Sequence, residues 1–346
     1  MNKYSDLMEK CIELAKQGAG QTSPNPMVGC VVLDTNGAEI STGYHKKYGE
    51  FHAERDALNK LENAKNCTLV VNLEPCCHHG KTPPCTDIII EKGIKRVVYG
   101  MKDPNPVVSG KGIEILKKAG IEVIGPVLEK ECQKINEIFI KNKTQNLPFV
   151  AIKTATTIDG KISTSKGNSK WITSGKARKK AKELRTYYDA ILTSSSTVIA
   201  DNPEMKHKIK IILDRTLKTD INSKIYQDGN IYVFCEKPQT YKINNIKYIK
   251  TPVTNDKLDT EFILKKLFEL GIMSVFIEAG GVLNGSFLPY ADKLYHFSAP
   301  KILSDNKGKT CFDGYNMTKI SQCFQLNHEK TEIYPPDILN IYSINH

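Results

Sequence analysis

Short apolar runs of strand length alternate with amphipathic helical patterns along almost the whole chain. That alternation confines the fold to a layered α/β design, because helices that interrupt a series of strands must pack on the faces of the sheet. In the first half, Tyr4, Leu7, Met8, Cys11, Leu14 and Ala15 recur at helical spacing and predict a helix ending near Gly18. Val28 to Leu33 and Glu39 to Gly43, either side of Asp34-Thr35-Asn36-Gly37, read as a hairpin closed by an Asn-Gly turn. A helix is expected from near Ala53. Strands at Thr68 to Leu73, Arg96 to Tyr99 and Ile121 to Ile124 then alternate with helical patterns at Asp87 to Lys92, Gly112 to Ala119 and Glu129 to Lys141, which describes a three-layer α/β domain.

The polar run Lys141-Asn142-Lys143-Thr144-Gln145-Asn146, followed by Pro148 and a fresh strand at Phe149 to Ala155, marks a domain boundary. It gives domains over 1–145 and 146–346. The second half repeats the alternation: helices at Lys176 to Tyr187 and Leu258 to Leu270, strands at Ala190 to Thr193, Ile209 to Leu213, Ile231 to Phe234 and Ser274 to Glu278. A length of 346 residues suits two such domains. No apolar run approaches the roughly 18 residues of a membrane span, and the first residues lead into an amphipathic pattern instead of a signal peptide. A cytoplasmic protein without membrane contact is expected.

The net charge is 49 minus 38, or +11, which raises the question of a nucleic-acid partner. Only five of the cations are arginines (Arg55, Arg96, Arg178, Arg185, Arg215), the residue suited to bidentate reading of bases and phosphates. The lysines are spread along the chain as a solvated surface, so no nucleic-acid partner is expected. Ten cysteines in a chain without a secretory signal read as reduced thiols. Three of them fall between positions 76 and 85, together with two histidines, and need a chemical explanation.

His52-Ala53-Glu54 is followed, about twenty residues on, by Pro75-Cys76-Cys77-His78-His79-Gly80-Lys81-Thr82-Pro83-Pro84-Cys85. One histidine and two cysteines suit a catalytic zinc site, whose three protein ligands leave a fourth position for water. Glu54, two residues after the histidine on the same helix, reaches the water and not the metal, as a proton shuttle does in zinc deaminases. The general pattern is P-C-x-x-C, whereas here eight residues separate Cys76 from Cys85. On spacing alone Cys77 and His78 are rival ligands, and a structural zinc knot is the competing reading. In the second half there is no G-x-G-x-x-G. Gly280-Gly281, after a strand and before Val282-Leu283-Asn284-Gly285-Ser286, reads as either a diphosphate cradle or a tight turn.

The Pro75–Cys85 string, together with Pro24-Asn25-Pro26-Met27-Val28-Gly29-Cys30, Asp103-Pro104-Asn105-Pro106, Trp171-Ile172-Thr173-Ser174 and Ile277-Glu278-Ala279-Gly280-Gly281, closely resembles the bifunctional riboflavin-biosynthesis deaminase/reductase family. The resemblance runs from about Tyr4 to the last strand near Ile341, and the long cysteine spacing belongs to it. It implies a cytidine-deaminase-like first domain in which His52, Cys76 and Cys85 bind Zn2+ and Glu54 moves protons. The substrate would be a diaminopyrimidinone carrying a ribosylamino 5-phosphate, with Asn25 among its contacts. It further implies a dihydrofolate-reductase-like second domain that uses NADPH to reduce the ribosyl group to ribityl.

Matched motif by motif, Ala155, Trp171, Thr197 and Asp201 and the loop Gly280, Gly281, Val282, Leu283, Asn284, Gly285 and Ser286 fall on the family's cofactor positions. Ser169, Arg185, Met205, Lys208 and Glu278 fall on substrate positions, and a fixed guanidinium at Arg185 suits a sugar phosphate. The resemblance also implies a homo-oligomer. One departure stands out: after Asp201-Asn202-Pro203 the family carries a leucine and, three residues later, an arginine, where this chain reads Met205-Lys206-His207-Lys208. Lys208 keeps the charge and loses the two-pronged geometry. The competing functions are a zinc deaminase acting on a nucleic-acid base and a deaminase with a silent second domain.

Overall fold

The first unit, Met1–Asn146, is built on a five-stranded sheet. Its elements are α1 (Ser5–Lys16), β1 (Gly29–Leu33), β2 (Glu39–Tyr44), α2 (Ala53–Leu58), β3 (Thr68–Leu73), α3 (Cys85–Glu91), β4 (Arg96–Met101), α4 (Lys111–Lys118), β5 (Glu122–Ile124), α5 (Glu129–Ile135) and α6 (Glu137–Gln145). The coordinates are a computed structural model that describes residues 3–80, 82–106, 108–239 and 245–344, so Lys81 of the cysteine string lies outside the described residues. Strand order is β2-β1-β3-β4-β5, with β1 antiparallel to both neighbours and β3, β4 and β5 parallel. The hairpin turn is closed by the Asp34 carboxylate, which accepts the N–H groups of Asn36 and Ala38, while Gly37 takes φ +87°.

Helices cover both faces of this sheet, and two glycines set how closely. A Cβ on Gly29 would lie 2.2 Å from the Cys11 carbonyl oxygen in α1, and one on Gly43 would lie 2.3 Å from the Ala53 carbonyl oxygen in α2. Gly43 pairs with Cys30, the residue after Gly29, so α1 and α2 lie on opposite faces. The bare surface at Gly43 draws the first turn of α2, with His52 and Glu54, down onto the strands. The helix expected over Glu129 to Lys141 is broken at Asn136, whose side chain leaves the helix pattern to bond Met27: Oδ1 accepts its N–H and Nδ2 donates to its carbonyl. The polar run read as marking the domain boundary continues α6 as far as Gln145, with Lys141 and Asn142 buried and Asn146 in the left-handed region ending the helix.

The second unit, Leu147–His346, comprises β6 (Phe149–Thr157), β7 (Lys161–Ser163), α7 (Gly175–Arg185), β8 (Ala190–Ser194), α8 (Ser195–Asp201), β9 (Ile209–Leu213), β10 (Asn230–Cys235), β11 (Ile246–Lys250), β12 (Val253–Thr254), β13 (Lys257–Leu258), α9 (Thr260–Glu269), β14 (Ser274–Ile277), α10 (Gly281–Phe287), β15 (Lys293–Ala299), β16 (Lys309–Thr310), β17 (Leu326–Tyr334) and β18 (Asp337–Ile344). Nine strands form one sheet in the order β11-β10-β9-β8-β14-β6-β15-β18-β17, parallel from β11 to β15 and antiparallel beyond. Ser174 and Asp259 cap α7 and α9 by accepting the N–H groups of Ala177 and Phe262, each cap contributing about 1 kcal/mol. From β8 the chain winds outward to β11, and it then returns to insert β14 between β8 and β6. The order therefore reverses at the β8/β14 pair, and the carboxyl ends of those strands border the crevice where open α/β sheets bind ligands.

Candidate active sites

In the first unit the sheet and two helix starts bring the sulfur and nitrogen donors together. β3 ends at Leu73, Glu74 and Pro75 turn the chain, and Cys76 follows; Cys85 is the first residue of α3, and His52 is the N-cap of α2. His52 Nδ1 lies 3.5 Å from Sγ of Cys76 and 3.5 Å from Sγ of Cys85, and the three donor atoms fall within 4.8 Å of one another. Among the described residues Cys77, His78 and His79 are not part of this group. The Cys85 N–H donates to Cys76 Sγ at 3.3 Å. The hydrogen bond from the Cys85 thiol holds Cys76 below its ordinary value, with His52 adding to it, and the same bond holds Cys85 well above its own. One nitrogen and two soft sulfur donors converging with one side open fit Zn2+.

Glu54 lies in the first turn of α2 and is 3% exposed. Burial, reinforced by the neighbouring Cys76, raises its carboxyl above the ordinary value, which suits a group that must hold and release a proton. A cavity of about 370 Å³ opens at His52, lined also by Asn25, Tyr48, Glu50, His78 and Thr82 among others. Sequence reasoning missed His45, which lies behind Asn25. Burial keeps its ring neutral, so Nδ1–H donates to the Phe51 carbonyl at 3.0 Å and Nε2 accepts from Asn25 Nδ2 at 3.2 Å. That pairing fixes the Asn25 amide and leaves its Oδ1 as the acceptor on offer. Glu74 was also missed: its buried carboxylate accepts the N–H groups of Asp103 (3.1 Å), Gly110 (2.9 Å), Gly112 (3.0 Å) and Ile113 (3.3 Å). No sequence spacing marks either residue, because both act on partners remote along the chain.

In the second unit a charged group gathers where β6, β14 and β8 run side by side. Ile277 pairs with Ile152 and Leu192, so Glu278, just past β14, is level with Lys153 and Thr193. The Glu278 carboxylate accepts a short hydrogen bond from Arg185 Nε and lies 3.8 Å from Lys153 Nζ. Burial would raise Glu278, but Lys153 and Arg185 outweigh it and hold the carboxyl below its ordinary value. Burial pushes the Lys153 ammonium down. Lys153 escaped the sequence reading because nothing in the sequence of β6, buried along most of its length, marks its one lysine as the partner of a remote carboxylate.

The remaining expected residues are distributed around the crevice. Ala155 is on β6, two residues beyond Lys153 and on the same face. Thr197 lies in the first turn of α8, which Ser194 caps, and Asp201 ends that helix, exposed. In the glycine loop, α10 buries Gly281, Leu283, Asn284 and Gly285. Packing explains two of its glycines, since Cβ atoms on Gly281 and Gly285 would strike Asp313. Gly280 is different: it has φ −80°, which any residue adopts, and nothing lies within 4 Å of a Cβ placed there. Neither packing nor backbone requires glycine, so the space is open for a ligand, and Asn284 Oδ1 is buried without a partner among the described residues. Gly280 and exposed Val282 at the switch point fit a cofactor diphosphate.

Trp171 is exposed and Ser169 is half-buried in the loop before α7. Met205 packs in the core with Ile191, Val198 and Ile225, and Lys208 is exposed one residue before β9, its carbonyl accepting the Asn230 N–H. Among the described residues neither bonds to Arg185 or Glu278.

Comparison with known proteins matches the model for the cytidine and deoxycytidylate deaminase zinc-binding region over residues 1–101 and the RibD C-terminal domain over residues 148–339. Riboflavin biosynthesis protein RibD of Actinobacillus pleuropneumoniae is 38% identical, covering 98% of this chain and 95% of that protein; that of Escherichia coli is 33% identical over 96% of each. The crystal structure of a diaminohydroxyphosphoribosylaminopyrimidine deaminase/5-amino-6-(5-phosphoribosylamino)uracil reductase from Thermotoga maritima superposes with a TM-score of 0.88 at 39% identity, over 99% of both chains. RibD from Acinetobacter baumannii gives 0.89 at 31% identity, again over 99% of both. A cytidine-deaminase-like unit and a reductase unit joined in that order, matched end to end at this identity, place the chain in the RibD family of bifunctional riboflavin-biosynthesis deaminase/reductases.

Proposed function

We propose that residues 1–145 deaminate 2,5-diamino-6-(5-phosphoribosylamino)pyrimidin-4(3H)-one and residues 146–346 reduce the ribosyl group of the resulting 5-amino-6-(5-phosphoribosylamino)uracil. The convergence of His52, Cys76 and Cys85 beside a buried Glu54 carries this reading. Zinc, when bound by those three residues, supplies the Lewis acidity that makes water nucleophilic near neutral pH. Glu54 takes one proton from water as its oxygen adds to the amino-bearing ring carbon and gives it to the ring nitrogen, where it stays; it then carries the proton of the added hydroxyl to the amino group, which leaves as ammonia as the ring carbonyl forms. Asn25, fixed by His45, orients the ring in the cavity.

In the second unit, Ala155, Trp171, Thr197, Asp201 and the Gly280–Ser286 loop hold NADPH, which supplies two electrons and a hydrogen when bound. Arg185 and Lys208 meet the sugar phosphate, while Ser169 and Met205 border its path. Saturating the carbon–nitrogen double bond at the first carbon of the opened sugar needs one further proton. Lys153, whose charge burial disfavours, is the donor, and Glu278 holds Lys153 and Arg185 in place. The enzyme is cytoplasmic, and it is a homo-oligomer, a state that light scattering on the purified chain tests; among the described residues no helix is long and apolar enough to cross a membrane.

The test is NADPH oxidation by the zinc-loaded protein, supplied first with the diaminopyrimidinone phosphate and then with the aminouracil phosphate. Oxidation with both, and ammonia from the first alone, is the expected result. Ammonia without NADPH oxidation from either compound would leave a deaminase with a silent second unit.

A further inference from the structure

Trp171 is the chain's one tryptophan, and 62% of its surface is open to solvent. One face of the indole is nevertheless covered. The Arg178 guanidinium carbon lies 4.3 Å from the ring centroid, in stacking contact, whereas the Lys170 ammonium is 6.0 Å away, at the limit of such an attraction. Arg178 is half-buried in the first turns of α7, and its Nη1 donates to the Thr173 carbonyl. The backbone around the ring is pinned as well: Ser174 N–H donates to the buried Asp337 carboxylate at 2.7 Å, and Lys301 Nζ donates to the Trp171 carbonyl at 2.7 Å. A large aromatic side chain held in this way, backed by a guanidinium and with most of its surface open to solvent, is a platform for a flat ring.

We propose that Arg178 is a positioning residue for NADPH, backing the indole of Trp171 so that a ring of the cofactor stacks on the opposite face. The inference rests on the reading that Trp171 touches the cofactor. Arg178 itself serves the cofactor through Trp171 and the Thr173 carbonyl. Lysine replaces it only in part, because an ammonium keeps the charge but has no plane to lay against the indole.

The sole tryptophan supplies the readout. NADP+ does not absorb at the emission wavelength of tryptophan, so it dims Trp171 only by contact, and titration gives its dissociation constant without turnover. Saturable quenching is expected in the wild type, with affinity about tenfold weaker in Arg178→Ala and about threefold weaker in Arg178→Lys. The KM for NADPH should rise in parallel with little change in kcat, and ammonia release should be unaltered in both variants. Should Arg178→Ala not fold, Arg178→Lys reads the same comparison. Quenching in the wild type with equal affinity in the variants overturns the role of Arg178. Absence of quenching in the wild type, while the fluorescence of NADPH itself shows that it binds, overturns the contact with Trp171.

Discussion

The two units solve the same problem, holding a phosphorylated pyrimidine against a reagent, with opposite distributions of residues. In the first unit the reactive group is drawn from two short stretches, 52–54 and 76–85, and stands on two helix starts that the sheet brings together. In the second, Lys153, Arg185 and Glu278 come from three elements spread over more than a hundred positions and meet because β6 and β14 are neighbours and the last residue of α7 reaches Glu278. A metal demands three donors within bonding distance, so its chemistry compresses the sequence. A bound dinucleotide is long and is met by backbone and side chains at several strand ends, so its site leaves only scattered traces.

If the units work independently, changes confined to one chemistry should leave the other intact. The largest effect is expected from removing the metal: a chelator should abolish ammonia release and leave NADPH oxidation with the aminouracil phosphate untouched, and added Zn2+ should restore the loss. Glu54→Gln should retain zinc by elemental analysis yet lower deaminase kcat by about 10³-fold. Parallel loss of reduction would break the comparison.

Next, Arg185→Lys should raise the reductase KM for the aminouracil phosphate by about tenfold, since the fork that bonds Glu278 while facing a phosphate is lost. A smaller rise, about threefold, is expected for Lys208→Ala, whose exposed cation has no ion-pair partner among the described residues. An unchanged KM would remove Lys208 from the substrate site.

The smallest effect is one of pH. Burial lowers His296, whose Nδ1 bonds the Thr154 hydroxyl at 2.8 Å in the second unit. In the unfolded chain this histidine takes up its proton near 6.5, and in the folded unit only below that value. Its contribution to stability is therefore full at neutral pH and is lost as pH falls below 6.5 toward the folded value. Thermal melts between pH 7.5 and 5.5 should show a shallow decline that His296→Asn flattens, with "about a degree or two" the scale expected for a fraction of a kcal/mol.

What the sequence made legible follows the same division. Short apolar runs and helical patterns located the strands and helices of the first unit because β1 and β3 are buried along their whole length and the helices between strands are amphipathic. Periodicity failed at Asn136, where a side chain bond to Met27 outweighs the continuing helical pattern. In the second unit it missed α8, whose Ser-Ser-Thr-Val-Ile start has no apolar stripe and depends on the Ser194 cap, and β17, an edge strand that is mostly exposed. His45, Glu74 and Lys153 were invisible for a different reason: each is defined by a partner that only the folded chain supplies.

Glu74 carries a mechanical implication. Three of its four N–H partners bind the start of α4 to the turn that leads into Cys76, and a Cβ on Gly112 would sit 2.2 Å from the Pro75 carbonyl oxygen. Turn and helix start therefore move as one piece, and tightening Cys76 onto a metal stiffens both. Amide exchange at Gly110, Gly112 and Ile113 then becomes a gauge of metal loading, read on residues that carry no ligand.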